Sequence, residues 1–197
     1  ITPKINNIKV GPYNDETSDM GPVVSKDAYE RINGLIESGV EEGANLIVDR
    51  RNIKLQGYEN GYFIGPCLFD NVKDNMKIYR EEIFGPVLSI VRAKDYEEGL
   101  QLVKDNPYGN GCSIFTRDGD TARNFSSEAN IGMVGVNIPI PVPVAYFSFG
   151  GWKNSIFGGH NAYGMEAIRF YTHTKTITSK WPEGIRSGAQ FTMPTLG

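Results

Sequence analysis

Seven consecutive residues, Glu81-Glu82-Ile83-Phe84-Gly85-Pro86-Val87, combine two carboxylates and an aromatic ring with a Gly-Pro pair. Glycine and proline together set a sharp, stiff change of chain direction. The apolar run after them is typical of a strand, so the turn would hold Glu82 and Phe84 at the mouth of that strand, where open α/β sheets tend to bind ligands. A carboxylate there can accept hydrogen bonds from both hydroxyls of a ribose, and an aromatic ring can pack on a flat heterocycle. The alternative is a solvated glutamate pair with Phe84 in the core.

The other side chains with nucleophilic or metal-binding chemistry form no recognisable motif. Cys67 and Cys112 each lie among apolar residues, with no histidine or helix N-terminus nearby to lower the thiol pKa, and are predicted to be small buried hydrophobes. The two histidines, His160 and His173, pair with neither cysteine, and no CxxC or HExxH spacing occurs. We therefore predict no catalytic residue and no metal site within these residues.

Composition excludes several classes of protein. The chain has 197 residues, of which 40% are apolar and 22% charged, as in an ordinary globular domain. The formal net charge of −3 leaves no basic surplus for nucleic acid. No apolar stretch approaches the roughly 18 residues that cross a bilayer, so no membrane partner is predicted. The N-terminal residues show no apolar signal segment, and two cysteines make no disulfide framework, which favours a reducing compartment.

Helix-like and strand-like segments alternate along the chain. Apolar residues at helical spacing follow Ser25 and Asp95, both good N-caps; the first of these helices is predicted to end at Gly43, and a third is predicted over 121–129 with Asp120 as its cap. Short apolar runs predict strands at 46–48, 62–64, 67–69, 87–92, 112–116 and 132–137. This alternation predicts an α/β fold built from βαβ units, with a largely parallel sheet.

Two later segments have unusual composition. Residues 138–149 carry prolines at alternate positions and no charge, which excludes a helix and predicts an extended apolar loop that lines a pocket or an interface. Residues 171–179 alternate apolar and threonine side chains, which predicts a strand at a sheet edge. The remaining tail is rich in proline, glycine and serine and is predicted to drape over the surface or to be mobile.

Several separated blocks of the sequence, in this order, resemble the C-terminal part of the aldehyde dehydrogenase superfamily across essentially the whole chain. The blocks are GPVVSKDAYERI at 21–32, GYFIGPCLFDNV at 61–72, EEIFGPVLSIV at 81–91, NPYGNGCSIFTRD at 106–118, GMVGVN at 132–137, FGGWKNS at 149–155 and YGMEAIRFYTHTKTIT at 163–178. The proline-rich IPIPVPVAYFSFGG is similar to one subfamily, the CoA-acylating methylmalonate-semialdehyde (malonate-semialdehyde) dehydrogenases.

The resemblance implies roles for three residues. Glu82 matches the residue that holds the nicotinamide ribose of NAD, and Phe84 matches the residue that packs near the nicotinamide. Phe149 matches the aromatic that faces the substrate tunnel; ordinary loop packing is the alternative. Residues 1–170 would be part of the catalytic domain, and 171–197 an oligomerisation strand and tail that pairs with a neighbouring subunit, which implies a homo-oligomer, a tetramer or a dimer.

The resemblance also implies that the cofactor domain and the nucleophilic cysteine precede Ile1. The whole enzyme would oxidise methylmalonate or malonate semialdehyde through a thiohemiacetal on that cysteine, with hydride transfer to NAD, and then transfer the acyl group to CoA with loss of carbon dioxide. This chain alone is predicted to be inactive. A CoA-independent aldehyde dehydrogenase and a non-catalytic oligomerisation or binding module remain as alternatives. The compartment would be the bacterial cytoplasm or the mitochondrial matrix.

Overall fold

The computed structural model describes residues 1–181, which fall into two compact units. The first unit comprises Ile1–Asn106 with Ser127–Ala129, and the second comprises Pro107–Ser126 with the residues from Asn130 on. Most of the tail predicted from the sequence lies outside the described residues. The division into 1–170 and 171–197 stays a prediction. Within residues 1–181, no helix is both long and apolar enough to cross a membrane.

The first unit contains four helices and one three-stranded sheet among its described residues. In chain order these are α1 (Thr2–Asn7), α2 (Lys26–Glu41), β1 (Asn45–Val48), β2 (Cys67–Val72), α3 (Lys77–Arg80), β3 (Val87–Val91) and α4 (Tyr96–Asp105). The sheet order is β1-β2-β3. β2 and β3 are parallel, with Cys67 opposite Val87, whereas β1 runs antiparallel to β2 because a loop and no crossover helix joins them.

Helix α2 provides the main apolar face against this sheet. Ser25 caps it, since its Oγ accepts a hydrogen bond from the Ala28 amide at 3.1 Å, and Gly43 follows its end with a φ of +92°. Ile32 and Ile36, both 0% exposed, lie in one core with residues of β2 and α3. The predicted cap and end of this helix are thus confirmed.

The second unit holds the remaining elements, apart from the last two residues of α5, which belong to the first unit: β4 (Tyr108–Gly109), β5 (Gly111–Ile114), α5 (Gly119–Glu128), β6 (Met133–Val136), β7 (Trp152–Lys153) and α6 (Glu166–Tyr171). β5 and β6 are parallel, with Cys112 opposite Val134, and α5 lies between them in the chain. β4 and β7 pair antiparallel over two residues each. The α/β fold with parallel βαβ pairs is therefore confirmed, with antiparallel pairs added at β1 and β7.

Three local predictions are wrong. Residues 62–64 form no strand, although Phe63 and Ile64 are buried as that prediction required. Asp118, not Asp120, supports the start of α5, since its carboxylate accepts from the Thr121 amide at 2.7 Å. Tyr171 ends a helix, and residues 172–180 form no strand within the described chain. A strand needs a neighbour, so the predicted pairing of this segment with another subunit stays a prediction.

Candidate functional site

The segment 81–86 joins α3 to β3 and is anchored at both ends. At its start the Glu81 amide donates to the Lys77 carbonyl at 2.9 Å, which closes α3. At its end the Pro86 carbonyl accepts from the Cys67 amide at 2.8 Å, which joins the segment to β2. Ile83, 8% exposed, points into the core. These contacts fix the backbone that carries the two predicted site residues.

Phe84 departs from ordinary packing in both backbone and side chain. Its φ is +49°, in the left-handed region that bulky residues rarely adopt, and its ring is 79% exposed. Such a conformation costs on the order of 1–3 kcal/mol and persists where the surrounding structure enforces it, often at ligand sites. The alternative that placed Phe84 in the core is wrong.

The two glutamates have different surroundings. Glu81 forms an ion pair with Lys77, with 4.0 Å between carboxylate oxygen and ammonium nitrogen. The Glu82 carbonyl accepts a hydrogen bond from Arg31 Nη1 at 3.2 Å, whereas no hydrogen bond or ion pair within residues 1–181 engages the Glu82 carboxylate. Glu82 therefore presents a free, exposed carboxylate beside an exposed aromatic ring. This pair of groups suits a ligand with vicinal hydroxyls and a planar ring.

The location of this segment in the sheet differs from the prediction. It precedes β3, and β2 and β3 are parallel, so Glu82 and Phe84 lie toward the amino ends of these strands. The rule that places ligands at the carboxyl ends of parallel strands therefore does not apply to them. What supports a site is the local geometry of the segment itself.

Gly85 brings the segment unusually close to α2. A Cβ atom built at this glycine would lie 2.7 Å from Ile32 Cδ1 and 2.9 Å from Ile32 Cγ1. Atoms at these distances overlap, so a side chain at position 85 would push the segment away from the helix.

Phe149 lies in the second unit. Its ring stacks on that of Tyr163, with 4.9 Å between ring centroids and an interplanar angle of 9°. Ser148 Oγ donates to the Tyr163 carbonyl at 2.9 Å, which adds a second link between the two segments. Phe149 is half-buried by this stack, so ordinary packing explains its position within the chain. Its role in a substrate tunnel stays a prediction.

Residues 138–147 form the predicted extended loop, but their apolar side chains are exposed within the described chain. Its large apolar side chains are about half or more exposed: Ile138, Ile140, Val142, Val144, Tyr146 and Phe147. An apolar surface of this kind is typical of an interface. The loop presents an open apolar face, and its predicted role in lining a pocket or an interface stays a prediction.

Neither cysteine has the surroundings of a nucleophile. Cys67 is 1% exposed, and burial raises its thiol pKa above the ordinary range. Burial likewise raises the pKa of the Cys112 thiol, which lies in β5. A thiol attacks as the thiolate, and a raised pKa keeps it protonated near neutral pH. Cys67 is thus buried as predicted, whereas Cys112 is only partly buried, and the absence of a catalytic role for either stays a prediction.

Sequence reasoning missed one open cleft in the second unit. The cleft has a volume of about 560 Å³ and is lined in part by His160, Arg169 and His173. His160 Nδ1 lies 2.8 Å from a Glu166 carboxylate oxygen, so an acidic side chain contacts one of these three residues. Within residues 1–181, no three His, Cys, Asp or Glu side chains are grouped as a metal site would require. Arg31 was also missed, because an arginine on a polar helix face carries no signal in the sequence.

Comparison with known proteins gives consistent relatives. The model of the aldehyde dehydrogenase family matches residues 1–177. A malonate-semialdehyde dehydrogenase of Pseudomonas aeruginosa is 51% identical over all of this chain, and a human mitochondrial methylmalonate-semialdehyde/malonate-semialdehyde dehydrogenase [acylating] is 48% identical over 97% of it. A crystal structure of a Sinorhizobium meliloti protein described as a methylmalonate-semialdehyde dehydrogenase complexed with NAD is 62% identical, with a TM-score of 0.88 over 94% of this chain.

The chain is much shorter than these relatives. It spans 40% of the length of the Pseudomonas protein, 36% of the human protein and 38% of the chain in the Sinorhizobium structure. The position of the matched part, predicted from the motif order to be C-terminal, stays a prediction. The family model matches 1–177 of 197 residues, and the fold and the motif around Glu82 agree with it; the chain belongs to the aldehyde dehydrogenase family.

Proposed function

We propose that this chain is part of an NAD-dependent, CoA-acylating dehydrogenase of methylmalonate or malonate semialdehyde, which forms propionyl-CoA or acetyl-CoA. The observation that carries the proposal is the exposed pair of Glu82 and Phe84, held at the edge of a rigid core with Phe84 in a left-handed conformation. The names of the relatives, malonate-semialdehyde and methylmalonate-semialdehyde dehydrogenases, support the substrate class.

The residues present fit one part of NAD. The Glu82 carboxylate is exposed and has no partner within residues 1–181, so its oxygens can accept hydrogen bonds from both hydroxyls of the nicotinamide ribose. The Phe84 ring, on the same short segment, packs near the nicotinamide and limits how it can turn. NAD, when bound, supplies the hydride acceptor. The role of this chain is to hold the ribose and to orient the ring.

The nucleophile is supplied by a part of the protein outside these 197 residues. Cys67 is buried and Cys112 is partly buried, and burial raises the pKa of both thiols, which disfavours either one as the nucleophile. The isolated chain therefore has no turnover. We place the chain in the C-terminal part of the whole enzyme, as its motif order predicts, and sequencing of the flanking regions of the gene tests this placement directly.

The remaining partners follow from the same proposal. The semialdehyde would pass Phe149, and CoA would accept the acyl group. The chain would assemble as a homo-oligomer, a dimer or a tetramer, with residues 172–178 pairing against a neighbouring subunit. The compartment would be the bacterial cytoplasm or, as in the mammalian relatives named mitochondrial, the mitochondrial matrix.

The test is Glu82→Gln in the full-length protein, with NADH formation from methylmalonate semialdehyde measured as a function of NAD. We expect the KM for NAD to rise roughly tenfold, because a hydrogen bond to a charged group is replaced by a weaker neutral one. Glu81→Gln is the matched control: it removes the neighbouring carboxylate, which pairs with Lys77 on the surface, and should leave the kinetics unchanged.

Equal kinetics for wild type and Glu82→Gln would contradict the assignment of Glu82. The same assay with and without CoA separates the rival functions. Full turnover without CoA would indicate a CoA-independent aldehyde dehydrogenase. If the full-length protein shows no turnover either with or without CoA, a non-catalytic module is indicated.

A further inference from the structure

Helix α2 makes one polar contact with the segment 81–86, which carries Glu82 and Phe84. Arg31 Nη1 donates a hydrogen bond to the Glu82 carbonyl oxygen at 3.2 Å, across a sequence separation of 51 residues. Within residues 1–181, this is the one hydrogen bond from another element that reaches 82–85. The neighbouring anchors act on Glu81 and Pro86, one residue outside each end of that stretch.

The part of helix α2 that carries Arg31 is rigid. Ile32, the next residue in α2, is 0% exposed, and its side chain occupies the space beside Gly85 that any larger residue would need. Ser25 caps the same helix, six residues before Arg31. Arg31 and Ile32 therefore contact the two ends of the stretch from Glu82 to Gly85, one by a hydrogen bond and one by packing.

We infer that Arg31 is a positioning residue, which fixes the backbone of Glu82 and so orients the Glu82 carboxylate and the Phe84 ring toward NAD. Arg31 itself does not contact NAD or the substrate in this inference; it acts through its hydrogen bond to the Glu82 carbonyl. The inference rests on the proposed function for its effect on NAD, but its effect on the segment does not depend on that function.

The need for such a contact follows from Phe84. A left-handed conformation at a phenylalanine is unfavourable on its own and relaxes when its surroundings loosen. Ile83 is held by burial, but the Glu82 peptide precedes it at the exposed surface. The Arg31 hydrogen bond holds this exposed peptide, and without it the Glu82 side chain would sample several directions.

The experiment compares Arg31→Ala and Arg31→Lys in the full-length protein, with Lys26→Ala as the matched control. Lys26 lies on the same helix, and its ion pair is with Glu30, on α2 itself. Hydrogen exchange of the peptide covering 81–87 measures the segment without NAD, and steady-state kinetics measure KM for NAD and kcat. Melting temperatures show whether the fold is retained.

For Arg31→Ala we expect exchange of 81–87 to quicken about three- to tenfold and KM for NAD to rise by a similar factor, with kcat little changed. Arg31→Lys should restore much of both effects, because lysine keeps one donor. Unchanged exchange in Arg31→Ala overturns the inference. The inference is also overturned if Arg31→Ala exchanges faster with an unchanged KM for NAD while Glu82→Gln raises that KM. If neither variant changes the KM for NAD, the proposed function fails, and faster exchange in Arg31→Ala still shows that Arg31 positions the segment.

Discussion

Gly85 has room for no side chain, because the space beside its Cα is filled by Ile32. A Cβ atom there would lie 2.7–3.1 Å from three Ile32 carbons, and Ile32 is fixed in a core where it is fully buried. The glycine thus sets how closely the Glu82–Phe84 stretch approaches α2. The same closeness lets Arg31 reach the Glu82 carbonyl.

Gly85→Ala in the full-length protein should lower stability by about 1–3 kcal/mol, the usual cost of overpacking a fixed core. The expected result is a lower thermal unfolding midpoint and a higher KM for NAD. Gly34→Ala is the control: Gly34 is exposed within α2 and its added Cβ would meet nothing within 4 Å, so it should stabilise the helix by roughly 0.5–1 kcal/mol. Equal midpoints for the two variants would show that Ile32 yields to the new methyl group.

Residue types and spacing predicted the candidate site, but not its geometry. Glu82 and Phe84 could be predicted because a carboxylate, an aromatic side chain and a Gly-Pro turn are adjacent in the sequence. The left-handed Phe84 was not predictable, because positive φ at a non-glycine residue is imposed by tertiary contacts. Arg31 was hidden for a similar reason, since its partner lies 51 residues away and is a backbone atom.

Helix α2 links the core of the first unit to the candidate site. Its buried side packs Ile32, Leu35 and Ile36 against the sheet, while Arg31 lies on its exposed side and reaches the Glu82 carbonyl. The N-cap at Ser25 satisfies an amide of the first turn that has no partner within the helix. The cap therefore supports the helix from which the site is positioned.

Ser25→Ala should weaken the first turn of α2 by about 1 kcal/mol, the usual cost of losing a serine cap. We expect hydrogen exchange of the first-turn amides, Ala28 among them, to quicken roughly fivefold. Ser25→Asp should keep the protection, because aspartate accepts the same hydrogen bond and its charge suits a helix N-terminus. Slower or unchanged exchange in Ser25→Ala would mean that packing alone holds this turn.

Elements with local signals were predicted well, and elements that depend on partners were not. Ser25 and Asp95 cap α2 and α4 as predicted, because a cap is a local hydrogen bond. The start of α5 was misplaced by two residues, since Asp118 and Asp120 both suit a cap and only the backbone decides between them. The strand predicted at 171–179 failed in the described chain because pairing depends on a neighbour that local sequence cannot supply.

Among the described residues, many large apolar side chains of the second unit are exposed. The side chains of the loop 138–147 are open, and so are several aromatic residues of the second unit: Trp152, Phe157, Tyr163 and Tyr171. Contiguous apolar surface usually marks an interface. The chain spans about 40% of the length of the Pseudomonas relative, and under the proposed function the rest of a longer enzyme or a neighbouring subunit would cover this surface.

The isolated 197-residue chain should therefore bind a hydrophobic dye such as ANS strongly and self-associate. Under the proposed function it should also form no NADH from methylmalonate semialdehyde with or without CoA. Under the same proposal, the full-length protein should bind little dye and turn over with CoA. Replacing Ile140 and Val144 by serine in the isolated chain should reduce dye binding, since both side chains are more than half exposed and contribute to the open face. Turnover by the isolated chain would place the nucleophile within these residues, at a thiol that burial now keeps protonated.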